Sequence, residues 1–221
     1  MGLSQAEPSA ISLSVDELVA LKQERALDEN ALRSIFLEAR TSNGFLPQPL
    51  PRKLLERAVE LAELAPTAAN SLPVRYVFVE SAEAKERLKP SLAEGNLAKT
   101  MLAPATAIVA ADLFFYERFS ETFPTRPTFG EAFAGPEKVE TTRAFARDNA
   151  LLQMGYFIIA ARALGLDCGP MGGFDRKLVD EAFFPEGRWI SLYLINLGYD
   201  DGQRSYPRLP RLRPDEIARF V

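Results

Sequence analysis

Two stretches of this chain repeat apolar residues at helical spacing. In residues 51–64 the repeat comprises Leu54, Leu55, Ala58, Val59, Leu61 and Ala62. Such a repeat gives a helix one apolar face, and Pro66 predicts where this helix ends. Residues 149–164 are apolar on nearly every side, which predicts a helix buried in the core or in a dimer interface. Gly165 predicts the C-terminus of that second helix.

Three shorter runs have the character of strands: Tyr76–Val79, Ala105–Ala111 and Ile190–Leu197. Ala105–Ala111 is uniformly small and apolar, as expected of a strand that is covered on both faces. Helices outnumber strands and the two do not alternate strictly, so the pattern predicts an α+β fold with one sheet flanked by helices. We expect residues 1–13 to form a flexible tail and residues 14–221 to form a single domain.

Residues 112–136 break the periodic pattern. Prolines and a glycine separate a set of aromatic residues there: Phe114, Phe115, Tyr116, Phe119, Phe123, Phe129 and Phe133. Such a segment is too aromatic for a disordered linker. It is expected to form a loop or short helices that belong to the core, to an interface with a second copy, or to a lid over a substrate pocket.

Composition excludes several classes of catalytic site. The chain has no histidine, which excludes histidine-based triads, histidine proton shuttles and the usual zinc sites. Cys168 is the single cysteine, expected to be a small buried side chain, and it fits a reducing, cytoplasmic compartment. A net charge of −4 predicts no general affinity for nucleic acid or for an anionic membrane. No apolar run reaches transmembrane length.

Basic residues nevertheless concentrate near the C-terminus. The arginines of this tail include Arg204, Arg208, Arg211 and Arg213. In an acidic chain, such a cluster predicts a binding site for a small anion. A solvated surface is the alternative interpretation.

Three further segments carry side chains suited to one flat, anionic cofactor. Arg40–Phe45 offers a cation, hydroxyls and an amide for a phosphate and a polyol, or else a simple ion pair beside a turn. Ala65–Asn70 is small enough for a ring to lie against, and the Asn70 amide both donates and accepts, although the segment could also be a helix stop. Gly169–Asp175 has adjacent glycines that let the backbone approach a ring, or that form a flexible turn.

Together these segments resemble the FMN-dependent nitroreductase-like superfamily. Within it the chain is most similar to the malonic semialdehyde reductase branch, which forms 3-hydroxypropionate and is associated with pyrimidine degradation. The resemblance also covers residues 95–100, 163–167 and 208–212, and it extends from Ala31 to the C-terminus. It implies a central, mostly antiparallel sheet flanked by helices and an intertwined homodimer with FMN at the subunit interface.

The resemblance implies which residues bind FMN. The phosphate, the ribityl chain and the pyrimidine edge would contact Arg40, Thr41, Ser42 and Asn43. The partner subunit would line the flavin with Pro66, Thr67, Ala68 and Asn70. The ring near its reactive N5 would be covered by Met171, Gly172 and Gly173. The phosphate would be clamped by Arg208 and Arg211.

Two positions depart from the pattern of the superfamily. Many relatives carry a basic residue where Asn43 stands, and many carry an acidic residue where Gly172 stands. The first departure leaves less positive charge facing the flavin and could lower its potential. The second could change how the nicotinamide is seated.

The chain is therefore predicted to be an NAD(P)H-dependent flavin oxidoreductase without a catalytic side chain of its own and without a metal. Hydride would pass through flavin N5 in two half-reactions. The branch implies malonic semialdehyde as the acceptor, and Arg126, Arg143 and Arg147 are candidates to bind its carboxylate. The alternatives are a broad-specificity nitroreductase or quinone reductase, a flavin-binding protein without turnover, and a helical dimer without cofactor.

Overall fold

The computed structural model describes residues 13–203 and 206–221. The predicted flexible tail, apart from Leu13, lies outside the described residues. Arg204 of the basic tail lies outside them too. Within the described ranges, no helix combines the length and the apolar character needed to cross a membrane.

The helices follow one another along the chain as α1 Val15–Glu24, α2 Glu29–Leu32, α3 Arg52–Ala62, α4 Ala82–Leu88, α5 Glu94–Leu102, α6 Phe119–Thr122, α7 Val139–Ala163, α8 Arg176–Phe183 and α9 Pro214–Ile217. Helix α2 continues into a π-helical turn at Arg33–Leu37. The predicted helix over residues 51–64 is confirmed as α3. The predicted helix over residues 149–164 is confirmed as the second part of α7, which begins ten residues earlier.

The strands form one antiparallel sheet in the order β1-β2-β4-β3. In chain order they are β1 Val74–Val79, β2 Ala105–Asp112, β3 Asp167–Met171 and β4 Trp189–Gly198. The predicted strands are confirmed as β1, β2 and β4, each slightly longer than expected. The fold is therefore α+β, with a sheet flanked by helices.

Strand β3 corrects the interpretation of Gly169–Asp175 as a loop. Gly169, Pro170 and Met171 pair with β4 at the edge of the sheet, and only Gly172 and the residues after it leave the strand. Glycine and proline are poor strand formers, so the sequence favoured a turn. An edge strand tolerates proline because one side of the strand has no ladder to join.

Helices cover both faces of the sheet. Helices α3 and α7 pack on one face, and α4 and α8 pack on the other. Strand β2 is buried along its whole length, with Ala107 and Val109 facing α7 and Ile108 and Ala110 facing the opposite layer. Its small side chains are explained by this position, because close packing of two helical layers leaves little space on either face.

Two buried amide side chains fix the backbone next to α7. The Asn149 side-chain oxygen accepts a hydrogen bond of 2.7 Å from the Ala68 N–H, and the Gln153 side-chain oxygen accepts one of 3.1 Å from the Val74 N–H. These bonds satisfy backbone donors that burial would otherwise leave unpaired. The segment Ala65–Asn70 is thereby held against the middle of α7. Gly165 ends this helix with a φ of +80°, a conformation in which glycine is the least strained residue.

The aromatic segment of residues 112–136 forms short helical turns, and its inner rings belong to the core. Phe115 and Phe119 are fully buried. The Phe115 ring stacks on Phe145 of α7 with the centroids 5.3 Å apart, and it meets Phe133 edge-on at 5.1 Å. The expectation of a core role is confirmed for these rings.

A buried carboxylate anchors the start of the aromatic segment. The Asp112 side chain lies 2.8 Å from an Arg75 guanidinium nitrogen and 3.0 Å from one of Arg188. It also accepts a hydrogen bond from the Phe114 N–H at 2.9 Å. Because all these partners surround one buried charge, β1, the residue that precedes β4 and the aromatic segment are joined at a single point.

Replacing Phe115 by alanine should lower the free energy of unfolding by about 3–5 kcal/mol, because it removes a fully buried ring and leaves a cavity. Phe114→Ala is the matched control. Its ring is 39% exposed, so we expect a loss of about 1 kcal/mol or less. Urea denaturation measures both values. Similar losses in the two variants would contradict a core role for Phe115.

Candidate active site

Four arginines line one cleft of about 640 Å³ between residues 36–43 and the C-terminal tail. They are Arg40, Arg162, Arg208 and Arg211. Among the described residues, none of the four has a carboxylate within ion-pair distance. The sequence-predicted Arg40, Arg208 and Arg211 are therefore brought together by the fold.

Backbone carbonyls accept hydrogen bonds from all four guanidinium groups. Arg208 donates to the carbonyls of Phe36 at 2.8 Å and Leu37 at 2.9 Å. Arg40 donates to the carbonyl of Ala39 at 2.9 Å. These carbonyls lie at the C-terminal end of the π-helical turn, where the helix dipole favours cations.

The cluster is electrostatically unfavourable without an anion. Partial desolvation and the nearby charges of Arg40, Arg211 and Arg162 lower the pKa of Arg208. The Nε atom of Arg162 is buried and has no hydrogen-bond partner among the described residues. A phosphate would relieve the repulsion and supply acceptors for these donors. The cleft therefore fits a phosphate group.

Sequence reasoning missed Arg162. It lies in the last turn of α7 and donates to the Ile35 carbonyl at 3.2 Å. One signal was available, because Arg162 is the single charged residue in the apolar stretch of residues 149–164. However, a cation near a helix C-terminus is common, so Arg162 could be explained by the helix dipole without any role in binding.

The segment after Arg40 is pinned to the edge of the sheet. Thr41 bridges Cys168 of β3, and the Ser42 N–H donates to the Cys168 carbonyl at 3.0 Å. The buried Ser42 hydroxyl lies 2.8 Å from the Gly44 carbonyl and also contacts the Asp200 carboxylate. Thr41 and Asn43 remain at the cleft, whereas Ser42 is bonded within the protein.

Helix α5 supplies two further polar groups that sequence reasoning gave no role. The Lys99 ammonium donates to the Asn43 side-chain oxygen at 3.2 Å, and burial lowers the pKa of Lys99. The Asn96 amide donates to the Gly173 carbonyl at 2.8 Å. Helix α5 thus connects two of the predicted cofactor segments, and it places a cation beside Asn43.

The position of α5 depends on a buried hydrogen-bonded group. The Asn196 amide of β4 donates to the Thr100 hydroxyl at 3.2 Å, and its oxygen accepts from Thr106 at 2.8 Å. All three side chains are fully buried. Because buried polar groups are costly when unpaired, this network fixes one register between α5 and the sheet.

At residues 171–173 the chain exposes mainly backbone atoms to solvent. Met171 is buried, and its sulfur lies 3.6 Å from the Thr100 hydroxyl, so its side chain points into the core. Gly172 and Gly173 are exposed. A Cβ atom on Gly173 would lie 2.9 Å from the Asn96 amide nitrogen, so a larger residue at this position would require the Asn96 side chain to shift.

The segment Ala65–Asn70 does not line the arginine cleft of its own chain. Its Asn70 amide donates to the Thr122 carbonyl at 2.6 Å, and the Thr67 hydroxyl accepts from the Leu72 N–H at 3.3 Å. Ala69 and Asn70 adopt the left-handed conformation with φ of 53° and 50°. Non-glycine residues rarely adopt it without surrounding restraint. The single chain therefore leaves Pro66, Thr67, Ala68 and Asn70 apart from the other predicted residues.

Cys168 is not a candidate nucleophile. It is fully buried in β3, and burial raises the pKa of its thiol to about 12. A thiol with such a pKa carries almost no thiolate at neutral pH. This confirms the expectation of a small buried side chain.

Residues 37–199 match the model of the "Nitroreductase family". The chain belongs to this family. A protein of Stenotrophomonas maltophilia strain R551-3, named "Putative NADH dehydrogenase/NAD(P)H nitroreductase", is 51% identical over 197 residues, which cover 89% of this chain and 98% of that protein. A protein of the same name from Stutzerimonas stutzeri is 50% identical over 192 residues, covering 87% of this chain and 96% of that protein.

Solved structures show the same fold. The FMN complex of a "putative nitroreductase" from Exiguobacterium sibiricum superposes with a TM-score of 0.76 at 21% identity, over 89% of this chain and 98% of that chain. The enone reductase CLA-ER of gut-bacterial fatty acid saturation superposes with a TM-score of 0.72 at 18% identity, over 88% and 100%. This nitroreductase-family chain therefore has the same fold as these solved structures.

Arg208→Gln should weaken the binding of inorganic phosphate by about tenfold, because it removes one of the converging charged donors. The thermal midpoint of the wild-type protein is expected to rise with added phosphate, and the rise should be much smaller in the variant. Arg213→Gln is the matched control, since Arg213 lies in the same tail but pairs with Asp215 at 2.8 Å. Equal phosphate-induced shifts in both variants would refute the phosphate site.

Proposed function

We propose that this chain is an FMN-dependent NAD(P)H oxidoreductase. The observation that carries the proposal is the cleft in which four arginines converge without a carboxylate partner among the described residues. Relatives that carry the name NAD(P)H nitroreductase support it, as does the FMN complex of a structural neighbour.

The protein's own residues would bind and orient the cofactor. The phosphate would be held by Arg40, Arg162, Arg208 and Arg211, each of which already donates to a backbone carbonyl. Thr41, Asn43 and Lys99 would meet the ribityl chain and the pyrimidine edge. When bound, FMN would supply hydride acceptance and donation at N5. The exposed backbone of Gly172 and Gly173 would lie against the ring.

Lys99 offsets one departure from the family pattern. Asn43 stands where many relatives of the superfamily carry a basic residue, and the Lys99 ammonium lies 3.2 Å from the Asn43 oxygen. A positive charge is therefore present at this position in space, although it comes from helix α5. We expect it to favour the negative charge that reduction adds to the cofactor.

The acceptor proposed from the resemblance is malonic semialdehyde, reduced to 3-hydroxypropionate. Broad nitroreductase or quinone reductase activity is the second candidate, and the names of the relatives favour it. The two candidates share the first half-reaction with NAD(P)H. They differ only in the acceptor that reoxidises the enzyme.

A homodimer is part of this proposal. On α7, Leu152 and Tyr156 are 54% and 46% exposed, and Phe220 at the end of the tail is 94% exposed. Exposed apolar groups of this size favour association. A second copy would also bring its Ala65–Asn70 segment to the flavin, which the single chain does not do.

The first test of the proposed function is an anaerobic absorbance spectrum of the purified protein. We expect a flavin band that bleaches with NADH or NADPH and returns with malonic semialdehyde. Return only with a nitroaromatic or a quinone would favour the second candidate. A band that neither nucleotide bleaches would indicate a flavin-binding protein without turnover, and the absence of a band after reconstitution with FMN would refute the proposal.

Lys99→Met should make the two-electron reduction potential of bound FMN more negative by about 30 mV, which corresponds to about 1.4 kcal/mol of lost charge stabilisation. The potential is measured against a reference dye at equilibrium. Lys89→Met is the matched control, because Lys89 is an exposed residue paired with Glu86 at 3.1 Å. The role of Lys99 would be rejected if both variants kept the wild-type potential.

Sedimentation equilibrium should give a species of twice the chain mass of 24.5 kDa. Tyr156→Arg, which places a charge on the exposed apolar face of α7, should shift the equilibrium toward the monomer and weaken FMN binding. Arg57→Glu, on the exposed face of α3, serves as the control for a change of surface charge. A wild-type protein that sediments as a monomer would refute the dimer.

A further inference from the structure

A second groove, of about 600 Å³, shares no lining residue with the arginine cleft. Helix α7 forms one wall with Arg143 and Arg147, and α8 forms the opposite wall with Arg176. The floor is part of β4 and includes Tyr193. The proposed cofactor roles use none of these residues.

Two arginines of this groove, Arg143 and Arg176, have guanidinium donors that could bind a ligand. Arg147 is engaged by Asp148 at 3.0 Å, and the Asp180 carboxylate on the opposite wall accepts the Ser191 N–H at 2.8 Å. Arg176 donates to the Leu192 carbonyl at 3.3 Å and lies over the Phe174 ring at 5.4 Å, which leaves other donors of its guanidinium unused. Arg143 is exposed and makes no hydrogen bond or ion pair within the described part of the chain.

The lining carries three arginines against two carboxylates, Glu140 and Asp180. Because Asp148 pairs with Arg147, only Arg143 and Arg176 are left for a ligand, and two guanidinium groups suit a monoanion better than a pyrophosphate. Apolar side chains such as Leu151 and Ile190 complete the walls, so a short carbon skeleton could lie beside the charged group.

The groove adjoins the position proposed for the reactive part of the cofactor. Tyr193 lies in its floor, and the Tyr193 ring is 3.5 Å from the position that a Cβ atom on Gly172 would occupy. Arg176 follows Gly173 by three residues along the chain. A small molecule anchored by these arginines would therefore reach toward the exposed backbone of Gly172.

The structure also separates the arginines that the sequence left as alternatives. Arg126 lies over the Phe129 ring at 5.9 Å and lines a different depression, formed by residues 125–132. Arg143 and Arg147 share one face of α7 in the groove, and Arg147 is already paired. Arg143 is thus the best placed of the three, and Arg176 is a residue that sequence reasoning did not consider.

We propose that Arg143 and Arg176 bind the carboxylate of a short-chain acid that serves as the electron acceptor, and so select carboxylated over uncharged substrates. This inference rests on the proposed oxidoreductase function. Both side chains line the groove, so the carboxylate would be bound by these two residues and the rest of the molecule would extend along the floor toward Gly172.

The test measures binding without turnover. The probe is 3-hydroxypropionate, titrated into the purified protein with its cofactor as isolated and followed by calorimetry. Arg143→Gln and Arg176→Gln are each expected to weaken binding by about tenfold, and Arg143→Lys by less, because it keeps the charge and loses the planar fork. Arg57→Gln is the matched control, since Arg57 is an exposed arginine on α3 outside the groove.

Two further measurements make the result specific. 1,3-Propanediol, which lacks the carboxylate, should bind all variants equally weakly. In turnover, Arg143→Gln should raise the KM for a carboxylated aldehyde by about tenfold and leave the KM values for propanal and NADH unchanged. Circular dichroism melting checks that each variant is folded, and the exposed Arg143 keeps the test valid if Arg176→Gln fails to fold.

The outcomes separate this inference from the proposed function. Equal affinity of Arg143→Gln and Arg57→Gln for 3-hydroxypropionate would overturn the inference, even if the flavin band bleaches with NADH. A rise in the KM for NADH alone would assign the groove to the phosphates of the nucleotide and would also overturn it. A protein without a flavin band would refute the proposed function, whereas binding of the carboxylate would still be measurable by calorimetry.

Discussion

The packing of α7 against the antiparallel sheet is the contact on which the rest of the molecule depends. This helix of 25 residues buries apolar side chains such as Phe157 and Ala161 against the sheet, and it also buries Asn149 and Gln153. The amides hold the Ala65–Asn70 segment and the start of β1. The last turn of the same helix delivers Arg162 to the arginine cleft, and its first half carries Arg143. A shift of α7 would therefore disturb the core and both candidate binding regions together.

The arginine cleft shows how a fold can maintain an unfavourable concentration of charge. Like charges that share a cleft repel one another, and an unpartnered buried donor such as Arg162 Nε adds a desolvation cost. The carbonyls of Phe36, Leu37 and Ala39 offset part of this cost by accepting from Arg40 and Arg208. The remaining cost would be relieved by an anion, so the free energy of binding would come partly from strain already present in the unliganded protein.

Helices outside the predicted cofactor segments supply charges that those segments lack. Asn43 brings no charge of its own, and Lys99 of α5 brings one to the same place. Gly172 brings no acidic side chain, and Tyr193, whose ring lies beside Gly172, also lines the groove that contains Arg143 and Arg176. The effect of a departure from a family motif therefore depends on the three-dimensional surroundings, because a residue far along the chain can restore a charge that the motif has lost.

The sequence by itself determined the α+β class, the strands β1, β2 and β4, helix α3 and the second part of α7. These features are encoded locally, because apolar periodicity and capping act over a few residues. Tertiary structure alone decided the strand at Gly169–Met171, which exists because β4 offers it a ladder. It also decided the convergence of Arg162 with Arg208 and of Lys99 with Asn43. Those pairs are distant in sequence and lie on elements whose own patterns say nothing about each other, so only the packing of helices on the sheet brings them together.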